Sequence, residues 1–377
     1  MIPEDWEVKR LEELGAWKGG GTPSMANASY WIDGTIYWAS SGDIKTKILS
    51  NTASMITEIA VKQSSTTLLK KGAILIVTRS GILRKYLPVA KNTVLIAINQ
   101  DIKALIPDNQ VNADYLLQIL SKRGPDILST CMKAGTTVES VEYTWLKKYQ
   151  IPLPSPKEQH AIAAVLSDVD ALITSLDQLI TKKRDIKQAT MQQLLTGKMR
   201  LPGFSKEWKI KKLEEILRVR HGKSQQGVVV NDGKYPILAT SGEIGRTNDY
   251  LYNKPSVLIG RKGTIDFPQY MDTPFWTIDT LFYTEIFDQV YPKFVFYLFN
   301  MIDWLKYNEA SGVPSLNAST IEDIEVQCPL YLEQQAIAIV LSDIDAEIVA
   351  LEQKRDKTRA LKQGMMQELL TGKTRLL

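Results

Sequence analysis

The segment EQHAIAAVLSDVDALITSLDQLITKKRDIKQATMQQLLTGKMRL, Glu158 to Leu201, returns as EQQAIAIVLSDIDAEIVALEQKRDKTRALKQGMMQELLTGKTRL, Glu333 to Leu376, with 27 identities in 44 ungapped positions. Both copies carry apolar residues at 3-4 spacing: Ile162, Leu166, Val169, Ile173, Leu176 and Ile180 in the first, Ile337, Leu341, Ile344, Ile348 and Leu351 in the second. That spacing lines one face of an α-helix. Neither copy contains proline, and each closes on LLTGK, with glycine just past the apolar run as a helix stop. The pattern predicts two helices of roughly 35–40 residues, about 50–60 Å each. Beyond Ile180 and Leu351 the stripe meets Lys183 and Lys187 and is expected to shift to Ile186, Met191 and Leu194, matched by Leu361, Met366 and Leu369. Two such stripes in one chain either bury each other as an antiparallel pair or pack separately on their own bodies. The near-identity of the stripes favours the pair.

A second echo frames the chain. DWEVKRLEEL (Asp5 to Leu14) returns as EWKIKKLEEI (Glu207 to Ile216). The chain therefore reads as two tandem units, each an opening motif, a variable body and a long helix. The expected divisions are a first body over 1–155, a helix over 156–200, a second body over 201–330 and a helix over 331–377. Repetition of this kind builds pseudo-two-fold symmetry. Both bodies read as α/β mixtures. TIYWAS, AILIVTRS and TVLIAIN are strand-like in the first and VNADYLLQILSKR is helical; the second has KYPILAT, SVLIGRKG, TLFYTEI and the helical PKFVFYLFNMIDWL.

Charge singles out one window. From Ile59 to Gln100 there is no acidic residue, while Lys62, Lys70, Lys71, Arg79, Arg84, Lys85 and Lys91 fall inside it. Such a stretch either attracts phosphates or is a basic face turned to solvent. The net charge of +4 permits a nucleic-acid partner without requiring one. Each body places a basic residue in a turn after an apolar strand, Arg79 in the first, Arg261 and Lys262 in the second.

Several functions find no support. His160 and His221 lack ligand-spaced partners, and the P-loop pattern is missing. No Asn/Asp-Pro-Pro-Tyr/Phe run for amino-methyl transfer occurs. Asp43, Glu243 and Asp266 lack the carboxylate-plus-lysine setting of a nuclease. No window approaches 18 apolar residues, so no membrane span is expected. The opening MIPEDWEVKR has no apolar core and is not expected to be a secretory signal. Cys131 and Cys328 have no framework spacing, which fits a reducing, cytoplasmic setting.

The paired segments IPLPSPKEQHAIAAVLSDVDALI and VQCPLYLEQQAIAIVLSDIDAEI, the LLTGK endings, the repeated openings, and YWASSGDIK, YPILATSGEIG and VLIGRKGTI together resemble the specificity (S) subunits of type I restriction-modification enzymes, over essentially the whole chain. The resemblance implies two α/β target recognition domains in tandem, joined by two long helices in an antiparallel coiled coil. Each domain would read one half of a split, asymmetric site in double-stranded DNA, with the helices as a ruler for the gap. It implies a non-catalytic chain with no cofactor of its own. Two methyltransferase (M) subunits would dock on the helices with S-adenosylmethionine, and restriction (R) subunits would bring ATP and Mg2+. The alternative is a stand-alone coiled-coil DNA-binding scaffold or regulatory homologue with no methyltransferase partner.

Base reading needs paired donors and acceptors on loops. The candidates are Ser40, Ser41, Asp43, Arg79, Arg84 and Lys85 in the first body, and Ser241, Glu243, Arg246, Arg261 and Lys262 in the second. Arg79 would chelate a guanine or hold a phosphate; Asp43 would accept from a cytosine amine or cap a turn. Trp31, Trp38 and Trp276 are read as packing groups. Off the helical stripe the copies still match, at Glu158/Glu333, Gln159/Gln334, Asp168/Asp343, Asp170/Asp345, Arg184/Arg359 and Gln192/Gln367. The first four pairs are the candidate docking residues for two copies of one partner, the other reading being that they cap and bridge the helix pair.

Overall fold

The computed structural model describes residues 2–133 and 137–376. Two continuous helices dominate it, Pro156–Leu194 and Tyr331–Leu369, 39 residues each. Pro156 supplies a fixed φ where its missing N–H costs nothing. Both helices stop as the LLTGK pattern predicts: Gly197 and Gly372 take φ of 68° and 74°, the left-handed conformation that ends a helix.

The chain divides into two compact units that cut across the sequential order. The first comprises 1–176 and 354–377, the second 177–353. Each unit thus holds one variable body, the opening half of one long helix and the closing half of the other.

In the first unit, one sheet of five strands runs in the order Gly15–Gly19, Ile102–Pro107, Ile74–Val77, Val89–Asn92, Ile48–Leu49. A second, of four, runs Ser54–Ile56, Ile36–Ala39, Ile96–Ile98, Thr67–Leu69. Ile74–Val77 is apolar throughout and buried throughout, as a strand covered on both faces must be. The opening motif Glu7–Arg10 pairs antiparallel with Gln150–Leu153 immediately before the long helix. The helix read in VNADYLLQILSKR runs on through Pro125 to Cys131, because its further turns bury Ile127 and Cys131.

The second unit repeats the scheme with less material. Its sheets run Leu217–His221, Leu281–Ile286, Ser256–Gly260, Gln269–Met271 and Val229–Val230, Gly242–Thr247, Tyr235–Ala239, Trp276–Thr277. Lys209–Lys212 pairs with Glu325–Cys328, again just ahead of a long helix. Helix Pro292–Phe299 is shorter than its counterpart, and a 3-10 turn at Trp304–Tyr307 follows it.

The helix pairing is antiparallel, and the same contacts are built in both units. In the first, Glu158 meets Arg375 and Asp170 meets Lys362. In the second, Glu333 meets Arg200 and Asp345 meets Lys187. As one partner number rises the other falls, which is the signature of antiparallel packing. Ile162, Leu166, Leu176 and Ile180 are buried, as are Ile337, Leu341 and Ile348.

The expected shift of the stripe does not occur. Ile186 and Leu361 face outward, 41% and 61% exposed. Lys187 and Lys362 keep the original phase and turn inward, each onto an aspartate of the facing helix. A lysine on the stripe is tolerated because its counter-charge is supplied across the pair; apolar counting along one strand is blind to that. Met191, Leu194 and Leu369 then resume the buried stripe.

Asp170 is shared. Lys47 donates to it at 3.3 Å and to Gln118 Oε1 at 2.8 Å, and Gln118 Nε2 donates to Asp170 at 2.8 Å. Burial and the neighbouring Lys362 ammonium lower the Lys47 pKa to about 8, against the pull of Asp170. The folded value lies below the unfolded one, so unfolding takes up a proton above about pH 8. Stability should therefore rise with pH across that window until unfolded lysine also loses its proton. Urea midpoints at pH 8 and pH 10 check this: the native chain should gain on Lys47→Met as pH rises, and parallel curves would contradict it.

Candidate nucleic-acid interface

The basic window is partly neutralised by acids from elsewhere in the first unit. Lys62 pairs with Glu58, Arg84 with Glu139 and Lys91 with Asp114. Lys70, Lys71, Arg79 and Lys85 are exposed, with no polar side-chain partner among the described residues. The linear count of seven positive charges therefore overstates the free field, and four remain.

Arg79 sits at a built tip. Strand Ile74–Val77 ends at Thr78, whose N–H donates to the Asp101 carbonyl at 2.8 Å. The returning chain closes over the turn: Val141 N–H donates to Thr78 O at 2.7 Å, and Ser80 N–H to Glu139 O at 3.0 Å. Arg79 and Ser140 form an isolated bridge. The second unit repeats this in detail. After Ser256–Gly260, Arg261 N–H donates to Thr280 O at 2.8 Å, Leu316 N–H to Arg261 O at 3.0 Å and Gly263 N–H to Pro314 O at 2.9 Å. Here the bridge joins Lys262 and Ser315. Gly260 is required, since a Cβ there would lie 1.9 Å from the Thr264 carbonyl oxygen.

The two clamps put Lys262, not Arg261, in the place of Arg79. Arg261 corresponds to Thr78, and its guanidinium is drawn back onto the Asp279 carbonyl at 3.2 Å. Arg79 and Lys262 thus form the matched pair of basic tips, each on a turn fixed by backbone hydrogen bonds from two segments.

Other candidates prove structural. Asp43 accepts from Ser40 N–H at 2.9 Å, from Ser40 Oγ at 2.7 Å and from Ala53 N–H at 2.9 Å. Its oxygens are taken up in capping the turn at Ser41–Asp43, which resolves its two readings in favour of the cap. Arg246 donates to the carbonyls of Gly233 and Lys234 at 2.8 and 3.2 Å and lies 3.4 Å from Glu243, so it ties a hairpin together. Ser241 and Lys85 remain exposed. Trp31 and Trp38 pack edge to face at 5.2 Å, and Trp276 donates to the Lys223 carbonyl at 3.0 Å.

The candidate docking residues need correction. Glu158, Gln159, Glu333 and Gln334 are 1–3% exposed and offer no surface to another chain. Glu158 accepts two bonds from Arg375, at 2.7 and 2.8 Å, and one from the Trp6 indole at 3.1 Å. Glu333 accepts from Arg200 at 2.6 and 2.7 Å and from the Trp208 indole at 3.1 Å. Gln159 takes the Asn112 N–H at 2.8 Å and Gln334 the Tyr291 N–H at 2.8 Å. Asp170 and Asp345 are occupied by lysines and, respectively, by Gln118 and Tyr297. Only Asp168 and Asp343 of the eight are exposed. The identities at Glu158/Glu333, Gln159/Gln334 and Asp170/Asp345 thus follow from internal pairing, while Asp168/Asp343 stay exposed. The WxxKxLEE openings held the missed signal, since Trp6 and Trp208 are half of each lock.

Among the described residues no group of acidic, histidine or cysteine side chains has metal-binding geometry, and no helix is long and apolar enough to cross a membrane.

Each unit thus combines a mixed α/β body, carrying a clamped basic tip, with paired segments of the two long helices. The family model "Type I restriction modification DNA specificity domain" matches residues 3–186 and 205–359, and the chain belongs to that family. It is 37% identical over 182 residues to the Escherichia coli EcoR124I/EcoR124II specificity subunit, a match covering 48% of this chain and 45% of that one. The chain thus spans less than half of that relative's length. Over 428 aligned positions it is 25% identical to the MjaVIII specificity subunit of Methanocaldococcus jannaschii, covering 100% of this chain and 94% of the relative. In fold it is similar to the S subunit of an M. genitalium type I restriction-modification system, with a TM-score of 0.67, 17% identity and coverage of 98% and 96%.

Proposed function

We propose that this chain is the DNA-reading, non-catalytic subunit of a type I restriction-modification complex and that its two bodies recognise the two unlike halves of a split site. The observation that carries the reading is the pair of clamped basic tips, Arg79 and Lys262, built alike in bodies whose other loops differ. Equivalent scaffolding with divergent loops is what two readers of different sequences require, since phosphate contacts position while base contacts specify. The chain works in the cytoplasm with two M subunits, which bring S-adenosylmethionine, and with R subunits, which bring ATP and Mg2+. The helix pair, made twice with the same contacts, supports docking of two copies of one partner.

Co-expression with a type I methyltransferase subunit followed by native mass measurement tests the assembly. A two-to-one complex that methylates DNA, with no methylation by this chain alone, is the expected result. A chain that stays alone at excess methyltransferase would favour the stand-alone scaffold.

A further inference from the structure

In the second unit the loop from strand Ser256–Gly260 to strand Gln269–Met271 carries the Lys262 tip, and two apolar side chains stand out from the same turn. Phe267 is 64% exposed and Val313 62%. The backbone under both is held. Ile265 is fully buried and plugs the loop into the core of the unit, between exposed Thr264 and exposed Asp266. Pro268, next to Phe267, is buried and leads into the strand, where Gln269 pairs with Leu258. The bond from Gly263 N–H to Pro314 O sets Val313 beside the turn, and Glu309 N–H donates to Ser315 O at 3.1 Å, closing the segment that bears it.

A single exposed apolar residue is ordinary on a protein surface. This arrangement recurs. In the first unit Ser80 N–H donates to Glu139 O, so Val138 holds the place of Val313, and it too is exposed. Tyr86 is exposed on the loop after the Arg79 tip and precedes Pro88 and the next strand, as Phe267 precedes Pro268. Each body therefore flanks its basic tip with an exposed valine and an exposed aromatic ring. In a DNA duplex the base faces are stacked on each other and the backbone is charged. The apolar group displayed on base edges in the major groove is the 5-methyl of thymine. Asp266, beside Phe267, repels phosphate and suits a base amine, so this edge of the loop is fitted to bases and not to the backbone.

We infer that Phe267 and Val313 form an apolar reader for a thymine methyl group in the half-site of the second body. The inference rests on the DNA reading proposed above and adds the base selected: an A·T pair at one position, chosen for its methyl group and not for a hydrogen bond.

The test uses the complex of this chain with its methyltransferase subunits and a duplex carrying the mapped motif. Each thymine of the motif is replaced in turn by deoxyuridine, which removes the 5-methyl and leaves every hydrogen-bonding group in place. One replacement, in one half, should weaken binding about fourfold, the worth of one buried methyl group. In the double variant Phe267→Ala, Val313→Ala the same replacement should cost nothing, while replacements in the other half keep their effect. That coupling separates a base contact from a structural role, which would weaken all duplexes alike. Deoxyuridine that is silent throughout, on a motif still preferred over a scrambled duplex, would overturn the inference and leave the DNA reading standing. No preference over the scrambled duplex would overturn both. A deoxyuridine cost that persists in the variant would also overturn the inference, and loss of methyltransferase subunits from the variant in native mass measurement would then assign the two side chains to the protein partner.

Discussion

Arg375→Ala should destabilise the first unit, because it leaves the Glu158 carboxylate, 1% exposed, without its charge partner. Arg375 also pairs with Asp5 at 2.7 Å, so one substitution removes the partner of two carboxylates at once. Burial raises the Glu158 pKa, but Arg375 and Trp6 outweigh it and hold the carboxyl below its ordinary value. The stability so contributed is present above the unfolded carboxylate pKa and is lost as pH falls through the folded one. Arg375→Ala should therefore flatten the acid limb of stability against pH, and Glu158→Gln in addition should restore part of the loss.

The chain has two compact units, so the readout must separate them. The Trp6 and Trp208 indole N–H groups donate to Glu158 and Glu333 in turn. Hydrogen exchange at Trp6 should accelerate severalfold or more, while Trp208 exchange stays unchanged. Arg200→Ala should reverse the pattern. Equal exchange in all variants would show that the locks carry no stability.

The joint replacement of Arg79 and Lys262 by alanine should produce the second large effect. On the proposed reading each holds a phosphate or reads a base. If both hold phosphates, the salt slope of binding should fall by about two and all sequences should weaken alike. If Arg79 pairs bidentately with a guanine, Arg79→Ala should cost about 1–3 kcal/mol on the cognate duplex and little on one altered at that position. Arg84→Ala is the control, because Glu139 already neutralises it. Titrations at several salt concentrations, on cognate and singly altered duplexes, give both answers. Affinity unchanged in the double variant would remove the tips from the interface.

The helices were legible because their signals are local: 3-4 spacing, no proline within either copy, glycine at the stop. The antiparallel pair was legible because two stripes alike have an obvious partner. What escaped was charge. Lys187 reads as an interruption, since Asp345, which holds it, lies far away in sequence; Asp170 holds Lys362 in the same way. Arg84 and Lys91 read as free for the same reason, because Glu139 and Asp114 fall outside the acid-free window. The correspondence of Arg79 with Lys262 rather than Arg261 was invisible as well, since it is fixed by backbone hydrogen bonds to Glu139 and Val141 in one body and to Pro314 and Leu316 in the other, segments far along the chain. Of the polar identities between the helix copies, Glu158/Glu333, Gln159/Gln334 and Asp170/Asp345 turn inward in the fold, whereas Asp168/Asp343 stay exposed.

The central claim is that two unlike bodies read two unlike half-sites, and methylation mapping tests it most directly. DNA would be taken from cells carrying this chain with its methyltransferase partner, and modified positions located along the genome. The account predicts one non-palindromic motif with two short specified halves and an unspecified gap, and substitutions at Arg79 and at Lys262 should each relax or weaken a different half. A palindromic or uninterrupted motif, or one half responding to both substitutions, would contradict it.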